Sequence, residues 1–242
     1  MKKRVTKAIA LAAIMMGMTT ATYAQDGLTL RLGAGLPMGT YAQGSATDLA
    51  TSVATSVATS ESGAAAVGFG AGVKYQHGMG HGLGLFASAD LFLNTLNGDI
   101  REAKGDNVTL PTYLNVPLMV GANYTLLHVG GAQLWVEAGA GLNLRHITAS
   151  KASAAVGTLA SGDTETTYAL ATSFGWQAGV GATLGSLSLG IHYYALGAAP
   201  VSGETTASYD LGGLLGGTTE PVAFTAGTLS PSMLLLRLGY TF

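Results

Sequence analysis

The chain has no cysteine, which excludes disulfides and thiolate metal sites. Charge is scarce as well: Asp, Glu, Lys and Arg make up 10% of the residues, against about 25% in an average soluble domain. No stretch reaches the ~18 consecutive apolar residues of a membrane-spanning helix, so none is expected. Four of the eleven basic residues precede Gln25, leaving seven basic against thirteen acidic side chains in the remainder. Such an acidic balance lacks the basic stripe of a nucleic-acid binder, and no nucleic-acid partner is expected. Glycine, by contrast, is plentiful at 36 of 242 residues, without the repeat period or the proline of collagen.

The N-terminus reads as a targeting segment. Lys2, Lys3, Arg4 and Lys7 form a basic region, Ala8 to Met18 an apolar one, and Thr22-Tyr23-Ala24 a small-residue cleavage site. Residues 1–24 are therefore expected to be a cleaved signal peptide, and residues 25–242 one exported domain.

The C-terminus sets the pattern for the rest. In Met233 to Phe242, Leu234, Leu236, Leu238, Tyr240 and Phe242 fall on one side, with Arg237, Gly239 and Thr241 on the other. A strand points successive side chains to opposite faces, so one face is apolar and the other carries a charge. Seven earlier stretches repeat this alternation, at 28–36, 67–75, 83–93, 114–124, 134–144, 170–184 and 187–195. Their charged residues, Arg31, Lys74, Asp90, Glu137, Arg145 and Arg237, all lie in the second phase. A lipid-facing Arg or Lys near mid-bilayer costs about 2–4 kcal/mol, so a membrane barrel requires this phasing. A soluble β-sandwich would also bury the aliphatic face, and phasing alone leaves both open.

Connection lengths decide between them. Long segments near 37–63, 95–110, 147–166 and 197–231 alternate with short ones near 77–82, 125–132 and at Gly185-Ser186. Greek-key sandwiches have no reason to alternate in this way, whereas outer-membrane barrels have short periplasmic turns and long extracellular loops. The expected fold is all-β: an eight-stranded antiparallel transmembrane up-and-down β-barrel. The first long loop repeats Ala-Thr-Ser-Val at 50–53 and 54–57, with Ala-Thr-Ser-Glu at 58–61, and is expected to be a flexible or hairpin-extending surface loop. The fourth is apolar (Leu211, Leu214, Leu215, Val222, Phe224). It either folds over the barrel mouth, adds an extramembrane hairpin, or supplies two further barrel strands, making ten.

The chain resembles the small eight-stranded outer-membrane barrels of the OmpA/OmpX kind, and more closely the outer-membrane β-barrel proteins of Bacteroidetes. The resemblance rests on Leu238-Gly239-Tyr240-Thr241-Phe242 and on Tyr113-Leu114-Asn115-Val116-Pro117-Leu118. It implies an outer-membrane location in a Gram-negative bacterium. Gly239, Tyr240 and Phe242 would be read by the barrel-assembly machinery, and outer-membrane lipid and lipopolysaccharide would be the surroundings. It specifies architecture rather than activity. The expected role is non-enzymatic, either structural or recognition of an extracellular ligand through the loops. The alternatives are an accessory part of a secretion or assembly machine, and a lipopolysaccharide-modifying enzyme.

Chemistry-bearing residues are few. Glycine runs such as Gly68-Phe69-Gly70-Ala71-Gly72 lack the strand-then-helix context of a phosphate loop, and share the phase expected to face the interior. His77 and His81 lack a third metal ligand. His146, on the outward phase, would form a lipid-deacylating site only with Thr148 as nucleophile and Asp163 or Glu165 as orienting group. No catalytic residue, metal or cofactor is expected. Glu137 is expected to accept from Arg31 or Arg237, with Tyr113 or Asn115 beside it, and Asp90 to face Arg145. Bulky Tyr113, Met119, Trp135 and Tyr194 should block conduction. Tyr75, Tyr124, Tyr240 and Phe242 should form an aromatic girdle, with Trp176 nearer mid-bilayer.

Overall fold

The computed structural model describes residues 26–44, 63–98, 101, 107–156, 160–210 and 215–242. The expected leader over 1–24, the repeat within 50–61, and Leu211 and Leu214 lie outside these residues. In chain order the strands are β1 (Gly27–Pro37), β2 (Gly68–Gly80), β3 (Leu83–Asn94), β4 (Val108–Thr109), β5 (Tyr113–Val129), β6 (Ala132–Ile147) and β7 (Ser150–Val156). There follow β8 (Ala160–Tyr168), β9 (Ala171–Leu184), β10 (Leu187–Ala195), β11 (Ala199–Asp210), β12 (Gly216–Thr218), β13 (Val222–Leu229) and β14 (Ser232–Thr241).

The eight alternating stretches become β1, β2, β3, β5, β6, β9, β10 and β14, and these close into one antiparallel barrel in the order β1-β14-β10-β9-β6-β5-β3-β2. Closure joins the two chain ends, from Thr29↔Thr241 to Pro37↔Met233. Apart from this closing pair, every barrel neighbour is also a sequence neighbour among these strands, which is an up-and-down meander. The barrel therefore has eight strands, not ten.

Three connections at one end are tight. They run through Gly80-His81-Gly82, Gly130-Gly131 and Gly185-Ser186, and all of these glycines and His81 have positive φ. Left-handed backbone at the turn matches the twist of the flanking strands, and glycine reaches it without strain.

The outer face follows from the alternation. Leu32 is 64% exposed, Val120 65% and Phe174 68%, while the intervening residues are buried. Tyr75, Tyr124, Tyr240 and Phe242 are exposed at the short-turn end. Trp176 is the sixth of the 14 residues of β9 and lies opposite Ala140 in the middle of β6. On its other side it is paired with Ala195, the last residue of the shorter β10, and its ring lies 5.4 Å from that of Tyr193.

The long connections also hold strands, of which only a hairpin in the fourth was among the expectations. β4, β7, β8, β11 and β12 form a second sheet in the order β12-β11-β8-β7-β4, with β13 paired to the start of β11. The fourth connection thus adds hairpin strands to this sheet and none to the barrel. These segments are rich in Thr, Ser, Gly and Ala, and a sheet without one continuous apolar face leaves no period-two signal. Their threonines (Thr164, Thr166, Thr167, Thr205, Thr206) carry strand propensity without hydrophobicity.

The interior is divided by height. Toward the long connections it is an apolar plug of Tyr41, Leu96, Met119, Tyr194, Leu196, Met233 and Leu235. Tyr41 comes from a 3-10 turn (Gly39–Tyr41) that folds in from the first long connection and is fully buried. Below the plug lies a layer of charges, and below that a polar cavity toward the short turns.

Candidate functional site

All six charged residues of the inward phase are buried: Arg31, Lys74, Asp90, Glu137, Arg145 and Arg237 are each 8% exposed or less. Five of them form one layer, and the partners differ from those expected. Asp90 lies between the two arginines. Arg31 donates from one NH2 group to both Asp90 oxygens at 2.9 Å, and an Arg237 NH2 lies 3.2 Å from Oδ2. Tyr194 donates its hydroxyl to the same oxygen at 3.2 Å. Glu137 instead takes Lys74 at 2.8 Å and faces His192 Nε2 at 3.0 Å, with Arg31 no nearer than 4.0 Å.

The register explains the exchange. Arg31 pairs with Gly72, and Gly72 pairs with Asp90, so a glycine lies between the two side chains on the inner wall. A Cβ there would collide with Asp90 Oδ1. Glu137, Gly179 and His192 repeat the arrangement across β6, β9 and β10, and a Cβ on Gly179 would meet the imidazole. Lateral neighbours across a glycine therefore make the Arg31–Asp90 and Glu137–His192 pairs, while Lys74 on β2 reaches Glu137 on β6 and Arg237 on β14 reaches Asp90 on β3 across the interior.

Aromatic rings hold the long cations in place. The Arg237 guanidinium sits 4.8 Å from the Tyr194 ring centre and 5.2 Å from that of Phe92. Lys74 Nζ lies 5.3 Å from Trp135 and 5.4 Å from Phe86. Cations desolvated against ring faces gain about 2 kcal/mol. Trp135 itself lies flat over Gly181 and Gly190 and donates to Thr183 at 3.0 Å.

Arg145 stands apart from this layer and does not meet Asp90. At the end of β6 it donates to the backbone carbonyls of Leu229 at 2.7 Å and of Ala199 and Pro200 at 2.9 and 3.2 Å. These carbonyls belong to β11 and β13, so Arg145 ties the second sheet to the barrel rim. Asn115 and Tyr113, expected beside Glu137, lie higher up. Asn115 donates to Tyr41 and accepts from Asn143, and Tyr113 donates to the Gly63 carbonyl at 2.7 Å. Burial raises the Tyr41 hydroxyl far above its ordinary value, keeping it a neutral donor to Asn94.

Other candidates do not assemble. His77 faces Asp26 at 3.3 Å on the exposed surface. His146 is exposed and has no hydrogen bond or ion pair among the described residues. Thr148 accepts from the Thr112 amide, and Glu165 is paired with Lys151 at 3.0 Å in the second sheet. Gly239 faces inward between Thr29 and Ser188, while Tyr240 and Phe242 face outward with rings 5.0 Å apart.

Sequence reasoning missed His192 and Gln177, both buried beside Glu137. Both lie in the inward phase of their strands. Extending the phase rule from formal charges to every polar side chain would have found them. Neither protein-family models nor curated proteins give a match to the chain.

Proposed function

We propose that the chain is an integral outer-membrane β-barrel without enzymatic activity. Its second sheet is the surface offered for a structural or recognition role. The observation that carries this is the outward face of the eight barrel strands, a continuous belt of exposed Leu, Val, Ile and aromatic side chains. Soluble monomers rarely expose an apolar patch beyond several hundred Å², whereas a barrel in lipid requires one. Tyr75, Tyr124, Tyr240 and Phe242 at one end suit an interfacial girdle of such a barrel. The likeness to OmpA/OmpX-type and Bacteroidetes barrels is part of the same proposal.

Because the chain lacks cysteine, single cysteines test the orientation cleanly. Asp163→Cys in the second sheet should react with a membrane-impermeant maleimide on intact cells. Ser186→Cys in a short turn should react only after the outer membrane is permeabilised. Equal labelling of both sites on intact cells would remove the proposed topology.

A further inference from the structure

We propose that the barrel interior binds one small monovalent anion, of chloride or formate size, in the cavity between the charged layer and the short turns. Three cations in that layer, Arg31, Lys74 and Arg237, face two carboxylates, Asp90 and Glu137, leaving one positive charge before any on His192 is counted. Removing an uncompensated charge from water costs several kcal/mol even after relaxation, so a buried excess of this kind calls for a counter-charge.

The geometry locates it. A cavity of about 40 Å³ opens beneath Arg31 and Arg237, with Thr29, Ser188 and Thr241 on its wall. Arg31 Nε and NH1 and Arg237 NH1 have no acceptor among the described residues, although the two side chains are only 5% and 3% exposed. Inward-facing Gly239 and Gly190 lie on the same wall, and their missing side chains make room for Ser188 and Trp135. A single water needs at least about 10–15 Å³ by the same measure, so the space takes about three waters, or one small anion with part of its hydration. A phosphate dianion would exceed both the volume and the charge deficit. Glu137 and Asp90 lie behind the cations, and their oxygens are taken by Lys74, His192, Arg31 and Tyr194.

Thermal unfolding of detergent-folded protein, in sodium chloride against sodium gluconate at equal ionic strength, tests the site. Chloride should raise the midpoint saturably, by about 2–4 °C for each kcal/mol of binding, and bulky gluconate should not. Ser188→Asp, which tethers a carboxylate beside Gly239, should abolish the chloride dependence. Bromide should give an anomalous peak between Arg31 and Arg237 in crystals of the unaltered protein, and this decides the matter alone should Ser188→Asp not fold. Equal responses to both anions, a chloride effect that survives in folded Ser188→Asp, or water in place of bromide would overturn the proposal.

Discussion

Asp90 and Glu137 are the residues on which the interior depends, since each neutralises cations held inside the barrel, 8% exposed or less. Removing one partner of a buried pair costs about 3–5 kcal/mol, because the other charge stays buried. Glu137→Ala should lose stability in that range, measured by urea unfolding from lipid vesicles. Glu137→Gln should lose less, because it keeps an acceptor for Lys74 Nζ, 2.8 Å from Oε2. Asp90→Ala should cost at least as much as Glu137→Ala, since it strands both Arg31 and Arg237. A loss below about 1 kcal/mol for either alanine variant would mean that the layer is hydrated and its charges screened. The phase of these residues was legible in the sequence, because a barrel leaves charges only one side to face. Their partners were not, because pairing depends on strand register, on glycines that leave room beside a side chain and on reach across the closed interior, none of which a single strand's alternation carries.

At the level of the strand, inward glycines are as specific as the charges. Phe92, Gly70, Gly33 and Arg237 lie in register on four neighbouring strands, so ring and guanidinium meet across two missing side chains. Gly72→Ala pushes a methyl into Asp90, and overpacking of this kind costs about 1–3 kcal/mol. The same change at Gly130, in a turn with nothing near its Cβ, should cost only the strain of its positive φ. Comparing the two by unfolding separates packing from backbone strain. The second sheet depends on a different contact. Arg145→Met removes hydrogen bonds from a charged donor, each worth about 1.5–3 kcal/mol, or about tenfold to a hundredfold in local opening. Amide exchange in β11 and β13 should accelerate accordingly while the barrel strands stay protected; unchanged exchange would show that Arg145 does not hold the sheet. The barrel strands could be read from their period, whereas β4, β7, β8 and β11–β13 could not, because mixed polar strands lack a period to read.

For the whole molecule, the plug and the charged layer fill the barrel interior above the cavity with buried side chains of the described residues. Tyr41, Tyr194, Met233 and Leu235 are each 0% exposed at the long-connection end. In planar bilayers the protein should give no large, stable conductance steps, and such steps would contradict a filled interior. The central claim is that the apolar outer face meets lipid, and the chain's two tryptophans test it most directly. Trp176 is 48% exposed on the outer face, and Trp135 is 8% exposed inside the barrel. Single-tryptophan variants, Trp135→Phe and Trp176→Phe, should be folded into vesicles containing brominated acyl chains and their fluorescence recorded. Trp176 should be strongly quenched by the brominated lipid and little by aqueous iodide, while Trp135 should respond much less to bromine. Quenching of Trp176 by iodide with no response to brominated lipid would contradict a barrel in the membrane.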